Sequence, residues 1–101
     1  MNQFKKSDEF EAWFKALKDL RAKTRILARI VSAEKGNFGD TEPVGHGVSE
    51  MRIHYGPGYR LYYTRQGGVV YLLLIGGDKS TQKRDIKKAI EMAATLGKDR
   101  P

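Results

Sequence analysis

The chain has 101 residues, contains no cysteine, and carries 19 lysine and arginine residues against 12 aspartate and glutamate residues, which gives a net charge of +7. This length favours one domain, residues 1–101, able to bury roughly 60–65% of the surface of its unfolded chain. The absence of cysteine excludes disulfides and thiolate chemistry, and the presence of only two histidines disfavours a histidine-based metal site. The positive net charge favours anionic partners such as nucleic acid, a ribosome or an acidic protein. We expect no cofactor.

Two helices are predicted near the N-terminus, after a short edge strand at Asn2–Lys6. Ser7 is a candidate N-cap for the first helix. The apolar side chains of that helix recur at helical spacing and are expected in the core: Phe10, Trp13, Phe14, Leu17 and Leu20. The second helix is expected over about Lys23–Lys35, with Gly36 as its stop signal.

The second helix has two contrasting faces. Its apolar residues are predicted to be buried: Ile26, Leu27, Ile30 and Val31. The residues expected on its exposed face are basic and suit a long anionic ligand as well as a solvated surface: Arg21, Lys23, Arg25 and Arg29. Because few residues separate the two helices, they should form a helical hairpin.

The second half of the chain is predicted to be mostly strand. Gly36–Val48 is rich in turn formers and is expected to be a loop, with His46 exposed between two glycines. Glycine-rich turns then separate the three strands expected at about Glu50–Tyr55, Tyr59–Arg65 and Val69–Ile75.

The last predicted element is a third helix, which starts at Ser80 or Thr81, ends at about Leu96 and precedes a polar tail, Lys98–Pro101. The resulting order is (β)ααβββα. This order predicts an α+β fold in which a helical hairpin and a C-terminal helix pack on a small antiparallel sheet.

No targeting or membrane segment is predicted. The stretch Met1–Asp8 is polar and is not followed by the apolar region of a signal peptide. The longest apolar run, Val69–Ile75, is too short to span a bilayer as a helix. We therefore expect a cytoplasmic protein without a membrane partner.

The first predicted hairpin gathers polar side chains on one face, because side chains alternate along a strand. A three-residue loop, Gly56–Gly58, sets His54 opposite Arg60 and Arg52 opposite Tyr62. All four side chains then share a face. The two arginines are expected to repel each other there unless an anion fills the gap between them.

The segment after the third strand is predicted to return to this hairpin. Antiparallel pairing brings Asp78 and Lys79 near the start of the second strand, and therefore near Arg60. Asp78 is also a candidate cap for the last helix, whose first N–H groups favour an anion.

These residue types suit RNA cleavage without a metal, in which the 2′-hydroxyl attacks the adjacent phosphate. His54 is the only histidine in a predicted strand, and an imidazole can transfer the proton. Arg52, Arg60 and Lys79 can stabilise the phosphate charge, while Asp78 can orient a cation or accept a proton. The helices offer further basic residues that can contact RNA or a ribosome: Arg21, Arg25, Lys83 and Arg84.

The stretch Glu50–Asp85 resembles the RelE/ParE superfamily of bacterial toxins, and within it the HigB-like branch of "addiction module killer proteins". The resemblance extends over nearly the whole chain. It is carried by the segment Gly76–Gln82 and by four hairpin residues: Gly56, Gly58, Tyr59 and Arg60.

This resemblance implies a RelE-like fold and the toxin of a type II toxin–antitoxin system, which enters the ribosomal A site and cleaves mRNA there. It implies a helix-turn-helix, HigA-like antitoxin as a partner, with DNA contacted only through the complex of the two. RelE-like enzymes with a tyrosine early in the last helix have no counterpart here, because Gln82–Asp85 occupy that neighbourhood. We therefore assign proton transfer to His54. By position, the family's basic catalytic surface corresponds to Arg52, His54, Arg60 and Lys79.

Two alternatives stay open on the sequence. A ParE-like toxin shares the fold and inhibits DNA gyrase without cleaving RNA, in which case His54 and Lys79 are incidental. A non-toxic module of the same fold that binds RNA or protein is the other alternative. The presence of His54 beside Arg52 favours the ribonuclease.

Overall fold

The computed structural model describes residues 1–98. In chain order its elements are β1 (Gln3–Lys6), α1 (Asp8–Ala16), α2 (Leu20–Glu34), β2 (Thr41–Gly45), β3 (Val48–Ile53), β4 (Tyr59–Gly67), β5 (Val70–Asp78), a short 3-10 turn (Lys79–Thr81) and α3 (Gln82–Lys98). The predicted polar tail, Lys98–Pro101, lies outside the described residues apart from Lys98, which belongs to α3. Within residues 1–98, no helix combines the length and the apolar character needed to cross a bilayer.

All the strands form one sheet in the order β1-β5-β4-β3-β2. The strands β3, β4 and β5 pair in antiparallel order, as predicted. The additional strand β2 is antiparallel to β3, whereas the edge strand β1 pairs in parallel with β5. α1 and α2 cover one face of the sheet, and α3 covers the other. The predicted α+β fold is thus confirmed, with helices on both faces of the sheet.

One capping side chain sets the start of each N-terminal helix. The Ser7 hydroxyl accepts a backbone N–H of the first turn of α1 at 2.9 Å, which confirms the predicted N-cap. Asp19 caps α2 in the same way, so α2 begins at Leu20 and not at Lys23. The prediction that Leu20 packs in the core as part of the first helix was wrong, because this cap places it in α2 with 75% of its surface exposed.

The buried residues fall into two clusters, one on each face of the sheet. The cluster under α1 and α2 includes Phe10, Ile26, Ile30, Met51, Ile53, Tyr59, Leu61 and Tyr63. The cluster under α3 includes Val48, Tyr62, Leu74, Ile75 and Ala89. The prediction that Leu27 and Val31 are buried was wrong, because α2 turns Ile26 and Ile30 towards the sheet and leaves those two side chains 42% and 47% exposed.

The segment predicted as a loop, Gly36–Val48, contains an additional strand, β2, which pairs with β3. The two strands are joined at Gly45–Gly47, where both glycines and His46 have positive φ angles, of 110°, 78° and 53°. The prediction of a loop was wrong over β2 because these turn-forming residues close a hairpin. His46 is exposed at the turn, as predicted.

Two glycines at the end of β5 allow helices to approach both faces of the sheet. A Cβ atom on Gly76 would lie 2.2 Å from the ring of Trp13 in α1. A Cβ atom on Gly77 would lie 1.9 Å from the carboxylate of Asp85 in α3. The absence of side chains at these positions therefore fixes how closely α1 and α3 pack on this end of the sheet.

Gly76→Ala is expected to lower the free energy of unfolding by about 1–3 kcal/mol, because the added methyl group overlaps the Trp13 ring. Gly67→Ala is the matched control, since a Cβ atom there meets no other atom within 4 Å. Its expected effect is below about 0.5 kcal/mol. Urea unfolding followed by circular dichroism measures both variants, and equal losses of stability would contradict the close packing at Gly76.

Candidate functional site

All the predicted catalytic residues lie at one end of the sheet. Arg52 and His54 come from the end of β3 and the turn after it, while Arg60 lies at the start of β4. Asp78 ends β5 and Lys79 follows it directly. Because neighbouring strands here are antiparallel, these positions are brought together although they are distant in sequence.

The observed pairing of β3 with β4 differs by two residues from the prediction. Arg52 lies directly opposite Arg60, so both predicted pairs, His54 with Arg60 and Arg52 with Tyr62, were wrong. A backbone hydrogen bond of 3.1 Å closes the turn over residues 55–58, so β3 ends before His54 and the histidine lies outside the ladder. Because the shift is an even number of residues, each strand side chain keeps its predicted face.

A buried carboxylate fills the space between the facing arginines. The Glu50 side chain is 1% exposed, with its oxygens 3.0 Å from Arg52 Nε and 3.7 Å from Arg60 Nε. It also accepts hydrogen bonds of 2.9 Å from the Tyr62 hydroxyl and from Gln82 Nε2 of α3. The anion expected between the two arginines is therefore supplied by the protein itself. Glu50 was not predicted, although its spacing of two residues from Arg52 put both on one face.

Two neighbours of Glu50 are mostly buried with it. Burial, followed by the hydrogen bond to Glu50, raises the pKa of Tyr62 well above its ordinary value, so the hydroxyl remains a donor. The Arg60 side chain is 12% exposed and donates through Nη1 to the Gly58 carbonyl at 2.7 Å. Its Nε is the one buried side-chain polar atom in residues 1–98 that lacks a hydrogen-bond partner. Arg60 is thus held beneath the surface, with its charge offset by Glu50.

Arg52 contacts three carboxylates. Its Nη2 lies 2.5 Å from Glu42 Oε2 and its Nη1 lies 3.4 Å from Asp40 Oδ1, in addition to the contact with Glu50. The hydrogen bonds to Glu42 and Glu50 raise the pKa of the Arg52 guanidinium above its ordinary value. Although this side chain is 27% exposed, most of its charge is therefore balanced within the protein.

His54 forms an exposed pair with Asp40, the residue before β2. Its Nε2 lies 2.6 Å from Asp40 Oδ2, and the histidine side chain is 75% exposed. The hydrogen bond from His54 and the charge of Arg52 hold the pKa of Asp40 below its ordinary value. Arg29 fixes this segment by donating to the carbonyl groups of Arg52 and Phe38. Neither Asp40 nor the role of Arg29 was predicted, because both depend on the unpredicted strand β2.

Asp78 and Lys79 lie beside the first hairpin, as the antiparallel pairing predicts. Asp78 is opposite Tyr59, and a Cβ atom on Gly58 would lie 3.6 Å from Cβ of Lys79. The Asp78 carboxylate accepts the backbone N–H and the hydroxyl of Ser80, at 2.8 and 2.5 Å. It thus acts as a cap at the start of the last helical segment, while Lys79 is exposed.

Exposed cations surround this end of the molecule. Lys83 and Arg84 lie in the first turn of α3 and help to line a depression of about 460 Å³. Arg21 and Arg25 lie in the first two turns of α2, and the Arg25 guanidinium is 4.7 Å from the ring centre of Tyr55 in the hairpin turn. A carboxylate already lies at each helix start, as the N-cap of α2 and in the first turn of α3. The exposed cations themselves, and not the helix dipoles, therefore make this end of the molecule suited to an anionic ligand.

The arrangement combines an oriented imidazole with exposed cations. An imidazole that donates a hydrogen bond to a carboxylate through the N–H of one ring nitrogen can accept a proton at the other nitrogen. An exposed ammonium such as that of Lys79 can stabilise a phosphate. Across the described part of the chain, no group of three or more histidine, aspartate and glutamate side chains is arranged to hold a metal ion.

The chain is similar to known proteins over most of its length. Residues 12–98 match the family model "Phage derived protein Gp49-like (DUF891)". An uncharacterized protein of Haemophilus influenzae is 50% identical over 95 residues, which is 94% of this chain and 96% of that protein. The matched residues include every site residue described above.

Glu50→Gln is expected to lower the free energy of unfolding by about 3–5 kcal/mol, because Arg52 and Arg60 then face each other without the buried anion between them. Glu42→Gln is the matched control. It removes another carboxylate that contacts Arg52, but this one is 62% exposed, so the expected loss is below about 1 kcal/mol. Urea unfolding compares the two variants, and similar losses would show that Glu50 does not hold the hairpin together.

Proposed function

The chain belongs to the Gp49-like family of phage-derived proteins, a RelE-like toxin family, and we propose that it is the toxin of a type II toxin–antitoxin system. Within that class we propose that it is HigB-like and acts as a ribosome-dependent mRNA endonuclease. The proposed cleavage proceeds through the RNA 2′-hydroxyl and needs no metal ion.

One observation carries the proposal: an exposed, oriented histidine lies at the cationic end of the sheet. His54 is 75% exposed and is hydrogen-bonded through Nε2 to Asp40. The exposed Lys79 lies at the same end of the sheet. General acid–base chemistry on RNA needs a group that titrates near neutral pH, and strand cleavage also needs cations for the phosphate charge. The combination supports a ribonuclease better than it supports a protein that only binds.

In the proposed reaction the 2′-oxygen attacks the adjacent phosphorus and the bond from phosphorus to the 5′-oxygen breaks. The products are a 2′,3′-cyclic phosphate and a 5′-hydroxyl. His54 takes the proton of the 2′-hydroxyl through Nδ1, since Nε2 donates to Asp40, and the leaving 5′-oxygen takes a proton from water. The exposed Lys79 contacts the phosphate and stabilises the negative charge that accumulates there in the transition state, and Arg60, which lies beneath the surface, adds positive charge at longer range.

We assign supporting roles to Arg52 and Asp78, because their charged groups are already engaged. Arg52 contacts Asp40, so it helps to hold the carboxylate that orients His54. Asp78 caps the segment that begins with Lys79 and so fixes where that lysine leaves the sheet. Both are positioning residues in this proposal.

The proposed partners follow from the charge of the surface and from the family. The exposed basic residues at the helix starts, together with Lys79, are proposed to bind phosphates of the ribosome and the message: Arg21, Arg25, Lys83 and Arg84. A helix-turn-helix, HigA-like antitoxin is proposed as the neutralising partner, with DNA contacted only through the complex of the two proteins. The proposed target implies that the chain acts in the cytoplasm.

Expression of the chain alone is expected to arrest bacterial growth, because a nuclease that cuts translated messages stops protein synthesis. Coexpression of a helix-turn-helix protein encoded beside it is expected to restore growth. Growth curves with matched protein levels, verified by immunoblotting, measure both effects. Normal growth at high levels of the folded chain would contradict the assignment as a toxin.

His54→Ala is expected to slow cleavage roughly 10²–10⁴-fold, the usual contribution of a general acid or base. His46→Ala is the matched control, because it removes the other histidine, which is exposed at the β2–β3 turn. Single-turnover cleavage of a ribosome-bound message at saturating protein, from about pH 5.5 to about pH 8.5, brackets the ordinary histidine pKa.

The His54→Ala variant should bind ribosomes nearly as well as the wild type, because its loss is in proton transfer. Lys79→Ala should lose both rate and some affinity, since this exposed cation also serves the ground state. If His54→Ala and His46→Ala retain the wild-type rate and pH profile alike, His54 is a surface residue and proton transfer belongs to another group.

A further inference from the structure

One side of α2 exposes large aliphatic side chains. Leu20, Leu27 and Val31 are 75%, 42% and 47% exposed, and their spacing of seven and four residues places them on one face of the helix. In residues 1–98, the other large hydrophobic side chains that are exposed are Met1 and Val69. The exposed apolar groups of the described chain are therefore concentrated on this helix. We call the face formed by Leu20, Leu27 and Val31 the α2 stripe.

The α2 stripe is not needed for the core. The opposite side of α2 already packs against the sheet through Ala22, Ile26, Ile30 and Ala33, all of which are buried. An amphipathic surface helix normally has one apolar face, whereas α2 has two. The second face indicates contact with another molecule.

The charges beside the α2 stripe are mostly positive. Arg21 and Arg25 flank it on one side and Lys23 on the other, while Glu34 at the far end is the only acidic residue in the helix. The carboxylate of Asp19 caps α2 and offsets the positive end of the helix dipole, so the positive charge beside the stripe comes from the arginine and lysine side chains. Leu20, Arg21 and Arg25 also line a shallow depression of about 360 Å³. An apolar face bordered by arginines fits a partner that is apolar in the centre and acidic at the rim.

We propose that the α2 stripe is the docking surface for an acidic amphipathic helix of a partner protein. The 15 residues of α2 span about 22 Å, which matches a partner helix of about four turns. Leucine-type side chains of the partner pack on Leu20, Leu27 and Val31, and its glutamate or aspartate side chains pair with Arg21 and Arg25. A second copy of this chain fits less well, because a twofold contact brings these arginines against each other.

This surface does not depend on RNA cleavage, although the two share residues. Arg25 stacks on Tyr55, which follows His54, so an occupant of the α2 stripe also covers cations assigned above to RNA binding. RNA alone leaves the aliphatic groups of the stripe without suitable partners, since bases stack on aromatic side chains rather than on leucine or valine. A bound acidic helix is therefore expected to compete with RNA at Arg21 and Arg25.

The probe for the test is a synthetic peptide of about 16 residues, the length of four helical turns, with leucines along one face and glutamates on both sides of them. A peptide of the same composition in scrambled order, without the apolar face, is its control. Fluorescence anisotropy of the labelled peptides measures binding to the full chain. We expect saturable binding of the amphipathic peptide and much weaker binding of the scrambled one.

The double variant Leu27→Ser, Val31→Ser is expected to weaken peptide binding about tenfold or more, because both side chains lie at the centre of the proposed contact. Val69→Ser is the matched control: it removes an aliphatic side chain that is 52% exposed and lies between β4 and β5. It should leave peptide affinity unchanged. Circular dichroism verifies that each variant is folded. We expect folding to be retained because the replaced side chains, Leu27, Val31 and Val69, are all exposed.

Charge reversal tests the acidic character of the partner. Arg21→Glu with Arg25→Glu should weaken binding of the glutamate peptide and strengthen binding of a lysine-substituted version. Short single-stranded RNA should bind the Leu27→Ser, Val31→Ser variant as well as it binds the wild type, and the amphipathic peptide should displace RNA from the wild type.

Four results overturn the proposal. The first is that binding of the amphipathic peptide does not saturate at about 1 mM, the affinity limit for a weak specific contact. The second and third are that the scrambled peptide binds equally well and that the double variant keeps the wild-type affinity for the peptide. The fourth is that the double variant loses RNA binding, which would make the stripe an RNA surface. Self-association of the wild type that the double variant abolishes points to a second copy and overturns it as well. None of these results bears on growth arrest or on His54, so the proposed toxin activity stands or fails separately.

Discussion

A buried carboxylate between two arginines is the interaction on which this end of the protein depends. Glu50 lies beneath α3 and contacts Arg52 and Arg60, which face each other across β3 and β4. Its remaining hydrogen bonds come from Tyr62 of the sheet and Gln82 of α3. One side chain thus joins two strands to a helix, and breaking such a buried ion pair on one side is far more costly than losing an exposed one. The positions of the exposed groups follow from this buried arrangement.

The charges at this end of the sheet divide into a balanced interior and an unbalanced surface. Arg52 and Arg60 are each paired with carboxylates of the protein, and Arg52 also contacts Asp40, the carboxylate that orients His54. The exposed cations beside them, such as Lys79 and Lys83, lie at the surface, where an anion can reach them. A protein built in this way attracts anions to a surface whose shape is set by buried ion pairs, and it holds a histidine there through a carboxylate whose pKa is lowered.

The sequence predicted which face each strand side chain occupies, but not the pairing between strands. Alternation along β3 and β4 is a local property, so the apolar and polar faces could be read directly. The register depends on how the turn closes, and Gly56 and Gly58, both with positive φ, allow more than one loop length. His54 was therefore predicted to lie in the ladder, whereas it lies between β3 and the turn and is hydrogen-bonded to Asp40.

Contacts between distant segments account for the other differences. Glu50 was overlooked because a lone acidic residue in a strand carries no signal until its neighbours on the partner strand are known. Asp40 depends on β2, whose five residues include a proline and a glycine and resemble a loop. The start of α2 was misplaced because helical spacing continued from Leu17 to Leu20, although Asp19 caps a new helix between them.

The most direct test of the proposed activity is to map RNA breaks and their end chemistry. Messages are sequenced from their 5′ ends shortly after induction of the chain, and a purified message is treated with and without ribosomes. We predict breaks within translated regions that appear only when ribosomes are present and that leave 5′-hydroxyl and 2′,3′-cyclic phosphate ends. Intact messages in cells whose growth has stopped, or cleavage of DNA by trapped gyrase instead, would contradict a ribosome-dependent mRNA endonuclease.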